Sequence, residues 1–132
     1  MRVIDSSSVA KFLNKEENWE KVEKVLQGGC VSLELVVKET GNSLWKRVHR
    51  GLLDSGKAQT IFREFIASRP FELVDQESLY DSAFKIAVSS DLAFYDALFL
   101  ALSKVRQIPL VTSDSTQAEA ARQLGLSVEF IP

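Results

Sequence analysis

Residues 92–102 read L-A-F-Y-D-A-L-F-L-A-L, and every one of them except Asp96 is apolar or aromatic. A run of this length makes about three helical turns and falls well short of the ~20 residues that cross a bilayer. Apolar on every side, it predicts a helix buried in a core. On that helix Asp96 has Leu92 and Leu100 at i±4 and Ala93 and Phe99 at i±3, none of which can pair with a carboxylate. An unpaired buried carboxylate costs several kcal/mol, so something outside the helix has to compensate it. Asp96 is then either a structural acid, hydrogen-bonded or kept protonated by desolvation, or one member of a group that binds a ligand.

The rest of the chain has the makings of one domain with a proper core. It has 132 residues, 45% of them hydrophobic and 26% charged, which are ordinary globular values. A formal net charge of −2 removes overall basicity as an argument for nucleic-acid binding. The single cysteine, Cys30, excludes an internal disulfide and fits a reducing compartment. With the lone His49 it falls short of the three or four ligands of a zinc site. The start, M-R-V-I-D, has no apolar stretch of the kind that forms a signal peptide. The expectation is a soluble, cytoplasmic, single-domain protein, with no membrane partner.

Taken in order, short apolar runs alternate with helical periodicity. Arg2, Val3 and Ile4 predict a strand that stops at Asp5, with a helix from near Val9. A helix over 16–26 carries Trp19, Val22, Val25 and Leu26, and Gly28 and Gly29 close it. Residues 30–32 predict a second strand, and Val36, Val37, Leu44, Trp45 and Val48 then mark a helix face with Glu39 beside it. Trp19 and Trp45 read as packing residues. After Gly51 a helix over 55–68 runs to Pro70, and a strand over 71–74 precedes a helix over 76–89. Asp91 then fits as the N-cap of the Asp96 helix. A strand over 110–112, a helix over 116–124 ended by Gly125, and a strand over 128–131 complete the chain. This alternation predicts a parallel sheet covered on both faces. Asp5 and Asp114 both follow strands directly, so they share the carboxyl edge, where such sheets bind ligands.

Singly, these acids have ordinary explanations. Asp5 and Asp114 fit as N-caps of the helices that follow them, and Glu39 fits a solvated helix edge. Together they form a group in which two charges about 4 Å apart repel by roughly 4 kcal/mol at an effective dielectric near 20. Protons or cations must neutralise such a group, and an all-oxygen set selects hard ions, Mg²⁺ or Mn²⁺.

Four stretches resemble, in order, the motifs of PIN domains, in particular the small toxin-type ribonucleases of the VapC kind. They are V-I-D-S-S-S-V-A-K-F at 3–12, V-V-K-E-T-G-N at 36–42, Y-D-A-L-F-L-A-L at 95–102 and L-V-T-S-D at 110–114. The resemblance implies a three-layer α/β/α sandwich with a five-stranded parallel sheet. It implies that Asp5, Glu39, Asp96 and Asp114 bind Mg²⁺ or Mn²⁺ for RNA cleavage, with Ser7 and Thr112 as polar residues near the ion. Asn42, three residues after Glu39, is a further supporting residue. It also implies an antitoxin partner whose tail enters the acidic cleft, and a homodimer is expected because apolar helix faces outnumber what one sheet covers. Gln117 departs from the aromatic or aliphatic residue that many relatives carry three positions after the last acid, which affects packing more than chemistry. Lys46, Arg47 and Arg50 are candidates for RNA phosphate contacts, or equally a solvated helix end. Two rival readings are a non-catalytic PIN-fold module that binds RNA or protein, and a haloacid-dehalogenase-like phosphatase. The latter needs a second Asp where this chain has Ser7.

Overall fold

The computed structural model describes residues 1–132. The β-branched and leucine-rich runs become five short strands: β1 (Arg2–Ile4), β2 (Cys30–Leu33), β3 (Glu72–Val74), β4 (Leu110–Thr112) and β5 (Val128–Phe130). They pair in parallel in the order β3-β2-β1-β4-β5. The chain therefore leaves β1 in one direction for β2 and β3, then returns past it to lay down β4 and β5. β1 and β4 flank the point where the strand order reverses.

Seven helices cover the sheet. α1 (Ser6–Leu13) and α2 (Trp19–Gln27) link β1 to β2, and α3 (Glu34–His49) and α4 (Ser55–Ala67) link β2 to β3. α5 (Tyr80–Ser90) and α6 (Phe94–Arg106) link β3 to β4, and α7 (Ser115–Gln123) links β4 to β5. Because parallel crossovers are right-handed, the reversal of direction puts α1–α4 on one face and α5–α7 on the other. The packing agrees, with α1 against α2 and α3, α3 against α4, and α5 against α6. The α/β sandwich expected from the alternation is the fold observed.

α6 is the central support of its face and packs on β1 and β4. Ala97 to Ser103 are all buried, with Ala97 and Ala101 small enough to bring the helix close to Val3, Ile4, Leu110 and Val111. The first turn behaves differently: Tyr95 is 61% exposed, and Asp96 is half-buried. The expectation of burial on every side thus holds from Ala97 onward and fails before it, because the helix enters the core from the sheet's carboxyl edge.

Local departures from the sequence expectations have local causes. Asp91 caps the end of α5, with φ at 51°, and Ala93 stands at the start of α6 without a side-chain bond. Asp tolerates the left-handed region that a tight interhelical turn requires, and here that outweighs its value as an N-cap. The helix expected over 16–26 begins only at Trp19, since Lys15 and Asn18 also take positive φ. The one expected over 76–89 opens with a 3₁₀ turn at Glu77–Leu79. β5 ends at Phe130, and Ile131 continues beside it, buried and donating its N–H to Thr112 O at 2.9 Å.

Leu100, fully buried at the centre of α6, tests this account. Leu100→Ala should lower the unfolding free energy by about 2–5 kcal/mol. Val105→Ala, at a position 62% exposed near the end of the same helix, should change it by less than about 0.5 kcal/mol. Urea unfolding measures both, and similar losses would show that α6 is not the core support.

Candidate functional site

β1 delivers Asp5 to the sheet's carboxyl edge, where its N–H still pairs with Val111 O at 3.2 Å. Asp5 then caps α1, its Oδ1 accepting from Ser8 N at 3.1 Å and from Ser7 Oγ at 2.6 Å. Oδ2 accepts from Thr112 Oγ1, one strand over, at 2.5 Å. The carboxyl is only 3% exposed. Burial pushes its pKa from 3.8 up to about 6, against the pull of the Ser7, Thr112 and Ser8 donors and with a further push from Asp114. Ser7 and Thr112, named from the motifs, are the two residues whose side chains hold this acid.

The end of β4 is tied to the same turn. Ser113 N donates to Ser7 Oγ at 2.9 Å, and Asp114 N donates to Thr112 Oγ1 at 3.1 Å. Ser8 Oγ and Ser113 Oγ lie 2.9 Å apart. Asp114 caps α7, its Oδ1 accepting from Thr116 N at 2.8 Å and Gln117 N at 3.1 Å. The capping explanation of Asp5 and Asp114 is therefore correct and compatible with a site, since both caps sit at the reversal of strand order.

Glu39 comes from the middle of α3 and is half-buried rather than solvated. Ser6 Oγ donates to its Oε1 at 2.6 Å. Asp96 comes from the first turn of α6. Its pKa is raised, first by desolvation and then by the charges of Glu39 and Asp114. The company that Asp96 required is therefore more acids, Glu39 and Asp114. Neither ion pair in the structure, Arg2 with Glu129 and Lys85 with Asp81, involves any of the four.

These carboxylates line one cleft of about 290 Å³, together with Ser6, Ser7, Asn42, Lys46 and Gln117. Of the basic candidates only Lys46 reaches it. Arg50 is the exposed C-cap of α3, and Arg47 is half-buried with its Nε unpartnered. Ser6 and Gln117 were not singled out as site residues. Ser6 shares the polar turn with Ser7, and only the tertiary contact with Glu39 distinguishes it. Trp45 is not a packing residue: it is 58% exposed and stacks on His49, with ring centroids 5.2 Å apart and planes 11° from parallel. His49 lies outside the cleft lining.

The donor set is all oxygen, the kind that suits hard divalent ions. No three of the acids stand close enough to grip one ion between them, so the cleft is an open acidic wall and not a closed cage. Mg²⁺ is ordinarily held by one or two carboxylates and keeps several waters, and an open wall of this chemistry fits such an ion.

A model of the PIN domain matches residues 2–123, and the chain belongs to that family. It is 28% identical over 120 residues to ribonuclease VapC3 of Pyrobaculum aerophilum, covering 89% of this chain and 92% of that one. Exonuclease VapC9 of the same organism is 28% identical over 112 residues, covering 85% and 79%. The solved structure of Mycobacterium tuberculosis VapC20, a sarcin-ricin loop cleaving toxin, superposes with a TM-score of 0.71 at 17% identity. That superposition covers 91% of this chain and 95% of the other, and at such identity it speaks for the fold. The VapC-like character read from the four motifs thus extends along nearly the whole chain.

The unneutralised acids have a measurable consequence for stability. With the Asp5 pKa raised to about 6 and that of Asp96 raised as well, the folded chain holds these protons more tightly than the unfolded chain. The stabilisation is complete below the unfolded carboxyl value, about 4. It is lost as pH rises through about 6, and for Asp5 alone the loss is about 3 kcal/mol. Asp96, whose pKa owes nothing to a hydrogen bond, can be neutralised without breaking one. In EDTA at neutral pH Asp96→Asn should melt a few degrees above wild type, and the gap should close near pH 4. A lower melting temperature for the variant would show that Asp96 is a structural acceptor.

Proposed function

We propose that this protein is a divalent-cation-dependent ribonuclease that hydrolyses RNA phosphodiester bonds, acting in the cytoplasm as the toxin of a toxin–antitoxin pair. The observation that carries the reading is the convergence of Asp5, Glu39, Asp96 and Asp114, none of them ion-paired, on one cleft at the reversal of strand order. A scaffold gains nothing from such a repulsive arrangement, whereas a nuclease needs it. The names of the VapC relatives, a ribonuclease and an exonuclease, support the same chemistry.

In this reading the acidic wall takes up Mg²⁺ or Mn²⁺, each ion on one or two of the four carboxylates. Such an ion supplies Lewis acidity and neutralises charge developing at phosphorus. The chain's own groups fix its donors. Ser7, Thr112 and the Ser8 N–H lock Asp5 in place, Ser6 orients Glu39, and the α7 N-terminus orients Asp114. Asn42 offers an uncharged amide to substrate at the cleft wall, and Lys46 offers a cation to a phosphate. His49, stacked on Trp45 outside the cleft, takes no part as a base.

Two partners follow in the same reading. An antitoxin segment bearing a cation would satisfy the unpaired acids by a charge-assisted contact. A second copy of the chain would cover the apolar strip of Tyr80, Phe84 and Val88 on α5, which are 43%, 63% and 69% exposed and lie at i, i+4 and i+8.

Purified protein should cleave RNA with Mg²⁺ or Mn²⁺, and EDTA should stop it. Asp5→Asn, Glu39→Gln, Asp96→Asn and Asp114→Asn should each remove most of the activity, by roughly a hundredfold on the scale of misplaced catalytic groups. Cleavage that survives chelation and all four changes refutes the assignment, and tight RNA binding without cleavage would favour the non-catalytic module. For the dimer, Phe84→Glu should convert the protein to a monomer by light scattering. A wild type that is already a monomer at high concentration would remove that claim.

A further inference from the structure

Gln117 is the third residue of α7 and is 2% exposed, yet it lines the cleft beside Asp5, Asp96 and Asp114. Its backbone N–H is committed to Asp114 Oδ1 at 3.1 Å, which fixes the two residues in one turn. The side chain has no such anchor. Its buried Oε1 has no hydrogen-bond donor. A buried acceptor left this way has lost its hydration with nothing in return, and such groups are rare in folded proteins.

The surroundings restrict what can serve it. Ionised carboxylates are acceptors only, so Asp5, Asp96 and Asp114 cannot donate to Oε1 while they carry charge, and none of the donors lining the cleft, Ser6, Ser7, Asn42, Ser43 and Lys46, bonds it. What carboxylates and an amide carbonyl share is affinity for a hard cation. An amide oxygen adds a donor to such a site without adding another like charge to a wall that already holds four. Rotation of a terminal amide is soft, so the carbonyl can turn to the cleft without moving α7. Packing alone gives no reason for an amide here, because an apolar side chain of the same length fills the space and leaves no unpaired atom.

We propose that Gln117 Oε1 is a neutral oxygen donor to a divalent cation, Mg²⁺ or Mn²⁺, held in the cleft, and that it sets the affinity for that ion. The proposal rests on the reading of the cleft as a cation site, but assigns to Gln117 a role beyond that of the four acids.

Uptake of Mn²⁺ by the metal-free protein, followed by the paramagnetic resonance of the free ion, tests this without RNA or turnover. Gln117→Met keeps the length and removes the donor. Its Mn²⁺ dissociation constant should rise about tenfold, while its melting temperature in EDTA stays at or above that of wild type. Gln117→Glu keeps the shape and ionises the oxygen. It should bind Mn²⁺ at least as tightly as wild type and melt lower in EDTA. Equal affinity in wild type and both variants overturns the proposal and leaves the cation reading of the cleft standing. If wild type takes up no Mn²⁺, the cation reading and the proposal fall together. If Gln117→Met does not fold, weaker binding by Gln117→Glu is enough to overturn the proposal.

Discussion

A carboxylate shut away from water must find donors inside the protein, and Asp5 takes its donors from two strands at once. Ser7 and the Ser8 N–H come from the turn that Asp5 itself opens, while Thr112 comes from β4. That requirement ties β1 to β4 beyond their ladder, in which Ile4 stands opposite Val111. Ser113 and Asp114 are then drawn into the same network through Ser7 and Thr112. The starts of α1 and α7 are therefore placed relative to each other by one buried carboxyl group.

Concentrating four acids on one cleft should strain the fold, and the architecture shows how it is tolerated. Asp5 and Asp114 cap α1 and α7, and Asp96 stands in the first turn of α6. Three helix amino termini, with their free N–H groups and positive dipole ends, thus face the same edge. Glu39, in mid-helix, has no such terminus and takes the Ser6 hydroxyl instead. The offset is incomplete, since the Asp5 and Asp96 carboxyls remain raised in pKa. Incomplete neutralisation of this kind is a stability cost that functional sites commonly carry.

α6 connects this edge to the core. Its buried length from Ala97 to Ser103 packs on the sheet, and its first turn reaches the surface with Asp96. One helix therefore serves two purposes, and the position of its entry into the core decides where the acid stands.

Much of this was legible in the residues. Short apolar runs marked the strands, period 3.6 marked the helices, and the alternation required a parallel sheet with Asp5 and Asp114 on one edge. The uncompensated Asp96 announced that other groups must meet it. What the sequence could not decide was anything set by contacts between distant segments. Asp91 and Trp45 were misjudged because cap preference and helical spacing describe a segment alone, whereas a left-handed interhelical turn and an uncovered helix face depend on neighbouring elements. Nothing in the motifs marked Ser6, as they marked Ser7, and its role appears only where α3 brings Glu39 within 2.6 Å. Gln117 read as a packing oddity until burial left its carbonyl without a donor. Periodicity and charge are local and survive in the sequence. Hydrogen-bond partnership and the environment that shifts a carboxyl pKa exist only once separate segments have packed.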